Sequence, residues 1–189
     1  MSGAETSPES RRALGRSALQ RQTVPEAARL AVIESGLPSL TWPEKPWLKL
    51  VAVDAESGEP RGFDSGSGVR LVDAVAASSA VPGLWPPVTI EGRRHVDGAV
   101  RSNTSADYAA GAARVLVLAP LGHFELFPCE TSLAVAIGDL RTGGAAVAYV
   151  EPDADSLAAI GANPADPATR RPTGEAGRAQ GRRTARDWR

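Results

Sequence analysis

Asp97 is the residue in this sequence best placed to do chemistry. It follows Arg93-Arg94-His95-Val96 and precedes Gly98 and Ala99, so a strand runs into a glycine turn and leaves a carboxylate where the backbone bends sharply. A carboxylate held there can orient or deprotonate a nucleophile. Read without its neighbours, the same side chain also suits a turn cap that accepts hydrogen bonds from backbone amides. His95, two residues earlier, shares its strand face, and Ser78, Ser79 and Ser102 offer hydroxyls from which a Ser-His-Asp triad could be assembled. Neighbouring side chains on one strand point in parallel and do not set a carboxylate behind an imidazole, so the triad is not adopted. Ser78 and Ser79 read as small packing residues, and His95 as a position that tolerates large side chains.

The other reactive residue types exclude more than they offer. The single cysteine, Cys129, cannot close an internal disulfide, and His95 and His123 do not combine with it at zinc-ligand spacing, so neither a metal nor an organic cofactor is expected. A formal charge of -1 with 42% hydrophobic residues describes a soluble globular chain and gives no reason to expect nucleic acid as partner. The first residues lack the apolar core of a signal peptide, and no apolar run is long enough for a transmembrane segment. The location expected is cytoplasmic, with peripheral contact to a membrane left open. Asn103-Thr104-Ser105 matches a glycosylation acceptor, a match without content in such a setting.

The elements that must position Asp97 alternate between helix and strand. Thr23 and Glu26 have capping-box spacing and Gly36 is placed as a stop, which predicts a helix over 24–35 with Ala27, Leu30, Ile33 and Leu37 on its apolar face. Residues 48–55 form an apolar run of strand length, which turns through Glu56-Ser57-Gly58-Glu59 into a short partner near Arg61 to Phe63. A helix is predicted over about 70–79. The proline-rich residues 81–87 then form a shaped loop in which Trp85 is the tryptophan to place near a substrate entrance. Residues 88–90 and 93–97 flank Glu91-Gly92 as a tight hairpin, so Asp97 closes a strand. A short helix over 105–110, buried strands at 114–120 and 145–152, and helices over 131–140 and 156–160 complete an α/β pattern.

The words around Asp97 carry a resemblance. AASSAVPGLWPP at 76–87, the hairpin VTIEGRRHV and then Asp97-Gly98-Ala99 stand in the order found in the C-terminal part of patatin-like phospholipases. VAVDAESGE, ARVLVLAP and VEPDADSLAAIGAN extend the likeness more loosely over residues 24–180. The resemblance implies a three-layer α/β/α domain with a mixed, mostly parallel central sheet. It also implies a lipid acyl hydrolase that works by a Ser-Asp dyad, without metal or cofactor, on a phospholipid or acylglycerol ester. Asp97 would then be the proton acceptor within the motif Asp97, Gly98, Ala99.

The family's GxSxG serine has no counterpart in these 189 residues, nor does its early glycine-rich loop. The expectation is therefore an incomplete domain, truncated or split, inactive alone. Two alternatives stand beside it: a non-catalytic lipid-binding or regulatory module, and one half of an enzyme complemented in trans by an N-terminal chain. Losing the strand that bears the nucleophile would also leave an unpaired apolar edge, which predicts poor solubility. The expected organisation is a polar lead-in at 1–22, either disordered or a helix without a packing partner, an incomplete domain at 23–161, and an Arg-rich tail at 162–189. That tail has seven arginines against three acidic residues. It could grip nucleic acid or acidic lipid, but without interleaved aromatics it reads as a solvated terminal helix with a frayed end.

Overall fold

The computed structural model describes residues 8–122, 127, 132–164 and 166–185. They divide into two compact units, one built from residues up to 105 together with 127 and 132, the other from 106–122 and 133–185. Cys129 and His123 lie outside the described residues.

The first unit is a four-stranded sheet between helices. β1 (Leu50–Asp54) runs between β2 (Pro60–Phe63) and β4 (Arg93–Asp97), and β3 (Val88–Ile90) lies outside β4, giving the order β2-β1-β4-β3. β1 is apolar because it is central and covered on both faces. On one face Ala52, Phe63, Val88 and Ile90 pack against Ala74, Ala76 and Ala77 of α3 (Leu71–Ser78), with Leu30 and Ile33 of α2 (Glu26–Gly36) alongside. On the other face Val53, Ala55, Val96 and Val100 pack against Leu14 and Ala18 of α1 (Pro8–Gln20). Each large apolar side chain fully buried here, such as Phe63, contributes about 1.5 to 3 kcal/mol.

The polar lead-in is thus an ordered layer from Pro8 onward, not a loose segment. Arg11, Gly15 and Ala18 share one face of α1 and are all buried. Gly15 lies against the Ala55 backbone so closely that a Cβ would collide with its carbonyl, and Arg11 Nε donates to the Gly58 carbonyl at 2.7 Å. The pattern was hard to read in sequence because α1 docks through a glycine and an arginine stem, which carry little apolar signal.

The α/β class and the mixture of parallel and antiparallel pairing are as expected, but the balance differs. All three ladders of the four-stranded sheet are antiparallel, and parallel pairing is confined to a separate two-stranded sheet. Short connections explain two of the three ladders: a five-residue turn from β1 to β2 and a two-residue turn from β3 to β4 can join only antiparallel neighbours. Glu91 and Gly92 take φ of 50° and 75°, the left-handed pair a tight hairpin of this twist requires.

The α2 helix forms where predicted, yet its capping box does not. The N-cap position is Pro25, with no side-chain cap. Glu26 instead accepts from the Thr89 amide at 2.6 Å and from the Thr89 hydroxyl at 3.0 Å. Thr89 lies on edge strand β3, and a charge-assisted bond to its free amide outweighs a local cap open to water.

In the second unit, β5 (Arg114–Leu118), α4 (Leu133–Thr142) and β6 (Ala146–Val150) make a right-sized crossover that pairs the strands in parallel. Val115, Val117, Val147 and Tyr149 pack on Ala136, Ile137 and Leu140. The strands predicted as buried are covered on that face alone, since Leu116 and Leu118 of β5 are exposed. Residues 106–109, read as a helix, form a 3-10 turn closed at Gly111 with φ of 86°. α5 (Ala154–Ile160) and α6 (Arg170–Thr184) follow.

Candidate active site

Asp97 ends β4 opposite Ala52 of β1, and the two motif segments that flank it in sequence meet there in space. The Asp97 amide donates to the Ala80 carbonyl at 3.0 Å, which ties the stretch after α3 to the strand end. One carboxylate oxygen, Oδ1, accepts from the Ala99 amide at 2.8 Å and caps the 3-10 turn Gly98–Val100. The turn-cap role and a chemical role are therefore compatible, because the cap occupies one oxygen. Gly98 has its own constraint: a Cβ would fall 2.5 Å from the Val51 carbonyl oxygen of the neighbouring strand. Glycine is needed here for close approach, not for a left-handed backbone.

Burial pushes the Asp97 carboxyl up to about 6, and the Ala99 amide pulls back only part of that rise. A carboxylate so tuned is a competent proton acceptor near neutral pH.

The remaining candidates are not brought together with it. His95 is 1% exposed, packs edge-on to Phe63 with ring centroids 5.6 Å apart, and places Nδ1 3.1 Å from the Arg93 carbonyl. Its pKa is lowered, chiefly by burial, so it rests neutral in the core. The Ser79 hydroxyl donates to the Val75 carbonyl at 2.8 Å, one turn back in α3, and the Ser102 oxygen accepts from the Ser105 amide at 3.0 Å. Ser78 sits at the last residue of α3. Trp85 lies beneath the Arg29 guanidinium, 3.9 Å from carbon to ring centroid, so the loop that carries it is pinned to α2.

Sequence reasoning passed over Asp54, which organises the opposite end of the same face. Its Oδ1 accepts from the Glu56 and Ser57 amides and the Ser57 hydroxyl, while Oδ2 pairs with Arg93. Burial alone would raise its pKa, but the Arg93 guanidinium, together with Ser57 and Glu56, holds it well below the usual carboxylate range. The spacing of Asp54 and Ser57 before a glycine was the available signal. Two aspartates on one sheet face thus have opposite electrostatics: Asp54 is committed to structure, whereas Asp97 keeps an oxygen and a proton affinity suited to exchange.

The site is thus a half-buried carboxylate at a strand end, backed by an alanine-rich helix and a glycine turn in an α/β/α unit. Comparison with protein families matches residues 12–110 to patatin-like phospholipase, which is more than half of the chain. The chain belongs to the patatin-like phospholipase family, a family of lipid acyl hydrolases. The match begins within α1 and ends just past the first unit, so it reaches further toward the N-terminus than residue 24 and does not extend to 180. No curated protein matches the chain.

Proposed function

We propose that this chain is the aspartate-bearing part of a Ser-Asp lipid acyl hydrolase, with Asp97 as the proton acceptor of the dyad. The observation that carries the reading is the Asp97 carboxylate itself, fixed through one oxygen by the Ala99 amide and raised by burial to about 6. In the reaction, Asp97 takes the proton as a serine oxygen attacks the ester carbonyl of a phospholipid or acylglycerol. The proton then passes to the departing alcohol, and water releases the acyl group by the same route in reverse. Gly98 lets the turn approach β1, and Ala99 keeps space beside the carboxylate.

The chain has no GxSxG serine of its own, and removal of a nucleophile costs about a millionfold in rate. These residues by themselves are therefore inactive, and activity requires a serine supplied from outside them. The experiment is to combine the purified chain with a polypeptide bearing GxSxG from the same family and to measure ester hydrolysis with a fluorogenic acyl ester. Hydrolysis that appears on mixing and vanishes with Asp97→Ala supports the reading. Hydrolysis that survives Asp97→Ala removes Asp97 from the mechanism. Lipid binding without restored hydrolysis would favour the non-catalytic module, and labelling of the lone chain by a fluorophosphonate probe at one of its serines would overturn the account.

A further inference from the structure

The exposed face of β5 and β6 and the arginines of α6 belong to one unit, and no part of the hydrolase reading uses them. β5 and β6 are in register from Arg114↔Ala146 to Leu118↔Val150, so Leu116, Leu118, Ala148 and Val150 share the face turned away from α4. Leu116 is 46% exposed and Leu118 is 60% exposed. Together with Gly181 and Ala185 at the C-terminal end of α6 they line an open, apolar groove of about 290 Å³. A row of exposed leucines on a sheet is a binding surface until something covers it.

α6 has two sides of different use. Thr173 donates to the Ala159 carbonyl, Gln180 bonds Ser156 and the Glu151 carbonyl, and Arg183 pairs with Asp153, so this side docks the helix on α5 and the end of β6. Pro172 and three glycines make α6 a poor helix by itself, and these contacts hold it. Arg170, Arg178 and Arg182 wind along the other side at spacings of eight and four residues; Arg178 and Arg182 lie within a turn of Gly181 and Ala185, which line the groove, and Arg170 continues the row at the helix start. All three are exposed, and among the described residues none has a side-chain hydrogen bond or ion pair, whereas Arg171 is paired with Glu175. Apolar side chains in a groove and unpaired cations beside it on one helix match a surface that offers anionic headgroups over hydrocarbon.

We propose that this face docks on an anionic phospholipid membrane, with Leu116 and Leu118 entering the headgroup boundary and Arg170, Arg178 and Arg182 contacting lipid phosphates. The occupant follows from charge complementarity: a neutral apolar partner would leave three guanidinium groups without counter-charges, and a purely acidic partner such as nucleic acid would leave the leucines in water. The inference is independent of catalysis, since it needs neither Asp97 nor a nucleophile.

The test is flotation of the full chain with phosphatidylcholine vesicles, with and without phosphatidylglycerol, at low and high salt. Binding is expected to the phosphatidylglycerol vesicles, weakened by salt because exposed charges are screened. Combining Arg170→Gln, Arg178→Gln and Arg182→Gln is expected to lower partitioning about a hundredfold. Among the described residues these side chains make no polar contact, so the variant is expected to remain folded by circular dichroism. Leu118→Ser is expected to weaken binding at both salt concentrations, which a purely electrostatic contact would not show. Equal binding to both vesicle types, unchanged binding of the triple variant, or salt-sensitive binding to a single-stranded oligonucleotide without vesicle binding would each overturn the proposal.

Discussion

Replacing Asp97 by asparagine isolates the cost of keeping a proton acceptor in the sheet. The amide of the Asp97→Asn variant preserves the size of the side chain and an oxygen for the Ala99 amide, but it cannot ionise. The native carboxyl has its pKa moved from 3.8 to about 6 in the folded chain. Below 3.8 the folded and unfolded chains both hold the proton, and the aspartate carries no charge penalty. As pH rises from 3.8 toward 6 the unfolded chain ionises first, so stability is lost progressively; above 6 the loss is complete. At about 1.4 kcal/mol per unit the full separation is worth about 3 kcal/mol, and the partial solvent access of Asp97 reduces this to about 2 kcal/mol. The assay is urea unfolding of native protein and Asp97→Asn at a series of pH values from about 4 to 8. Other titrating groups are shared and cancel in the difference. The variant should gain about 2 kcal/mol over the native chain across this range, while constant effects of the amide shift the whole curve without changing its slope. A difference that is flat with pH, or that falls as pH rises, would refute the claim that burial raises Asp97.

Asp54 provides the opposite slope. Its depressed pKa stabilises the fold above the ordinary carboxylate range and that contribution is lost as pH falls, so Asp54→Asn should cost about 3 kcal/mol near neutrality and progressively less in acid, read by the same unfolding series. His95 is held neutral, so its burial opposes acid conditions: His95→Leu should remove part of the stability loss that sets in as pH falls below 6.5, measured by thermal melts on either side of that value. Gly98→Ala should destabilise by about 2 to 3 kcal/mol, because the Cβ meets a backbone carbonyl of β1 that cannot rotate aside. A melting temperature unchanged in Gly98→Ala would show that the turn and β1 are not in close contact.

The local features were legible because their causes are local. The apolar run at β1, the left-handed Glu91-Gly92 turn, the end of β4 at Asp97 and the α/β alternation all depend on residue type and period within a few positions. So did the family, whose match covers the motif segment. What depended on distant groups was not legible. Glu26 has the spacing of a local cap, but Thr89, 63 residues away, takes its carboxylate. Residues 8–20 read as a polar lead-in until the Ala55 backbone provides a surface for Gly15 and the Gly58 carbonyl a partner for Arg11. Leu116 and Leu118 read as buried until α4 covers only the other face of β5. For Asp97 the division is sharpest. Residue order placed a carboxylate beside a glycine at the end of a strand. Its proton affinity came from the tertiary structure, because desolvation depends on which groups from β1 and the segment after α3 surround the side chain, and no spacing along the chain encodes that.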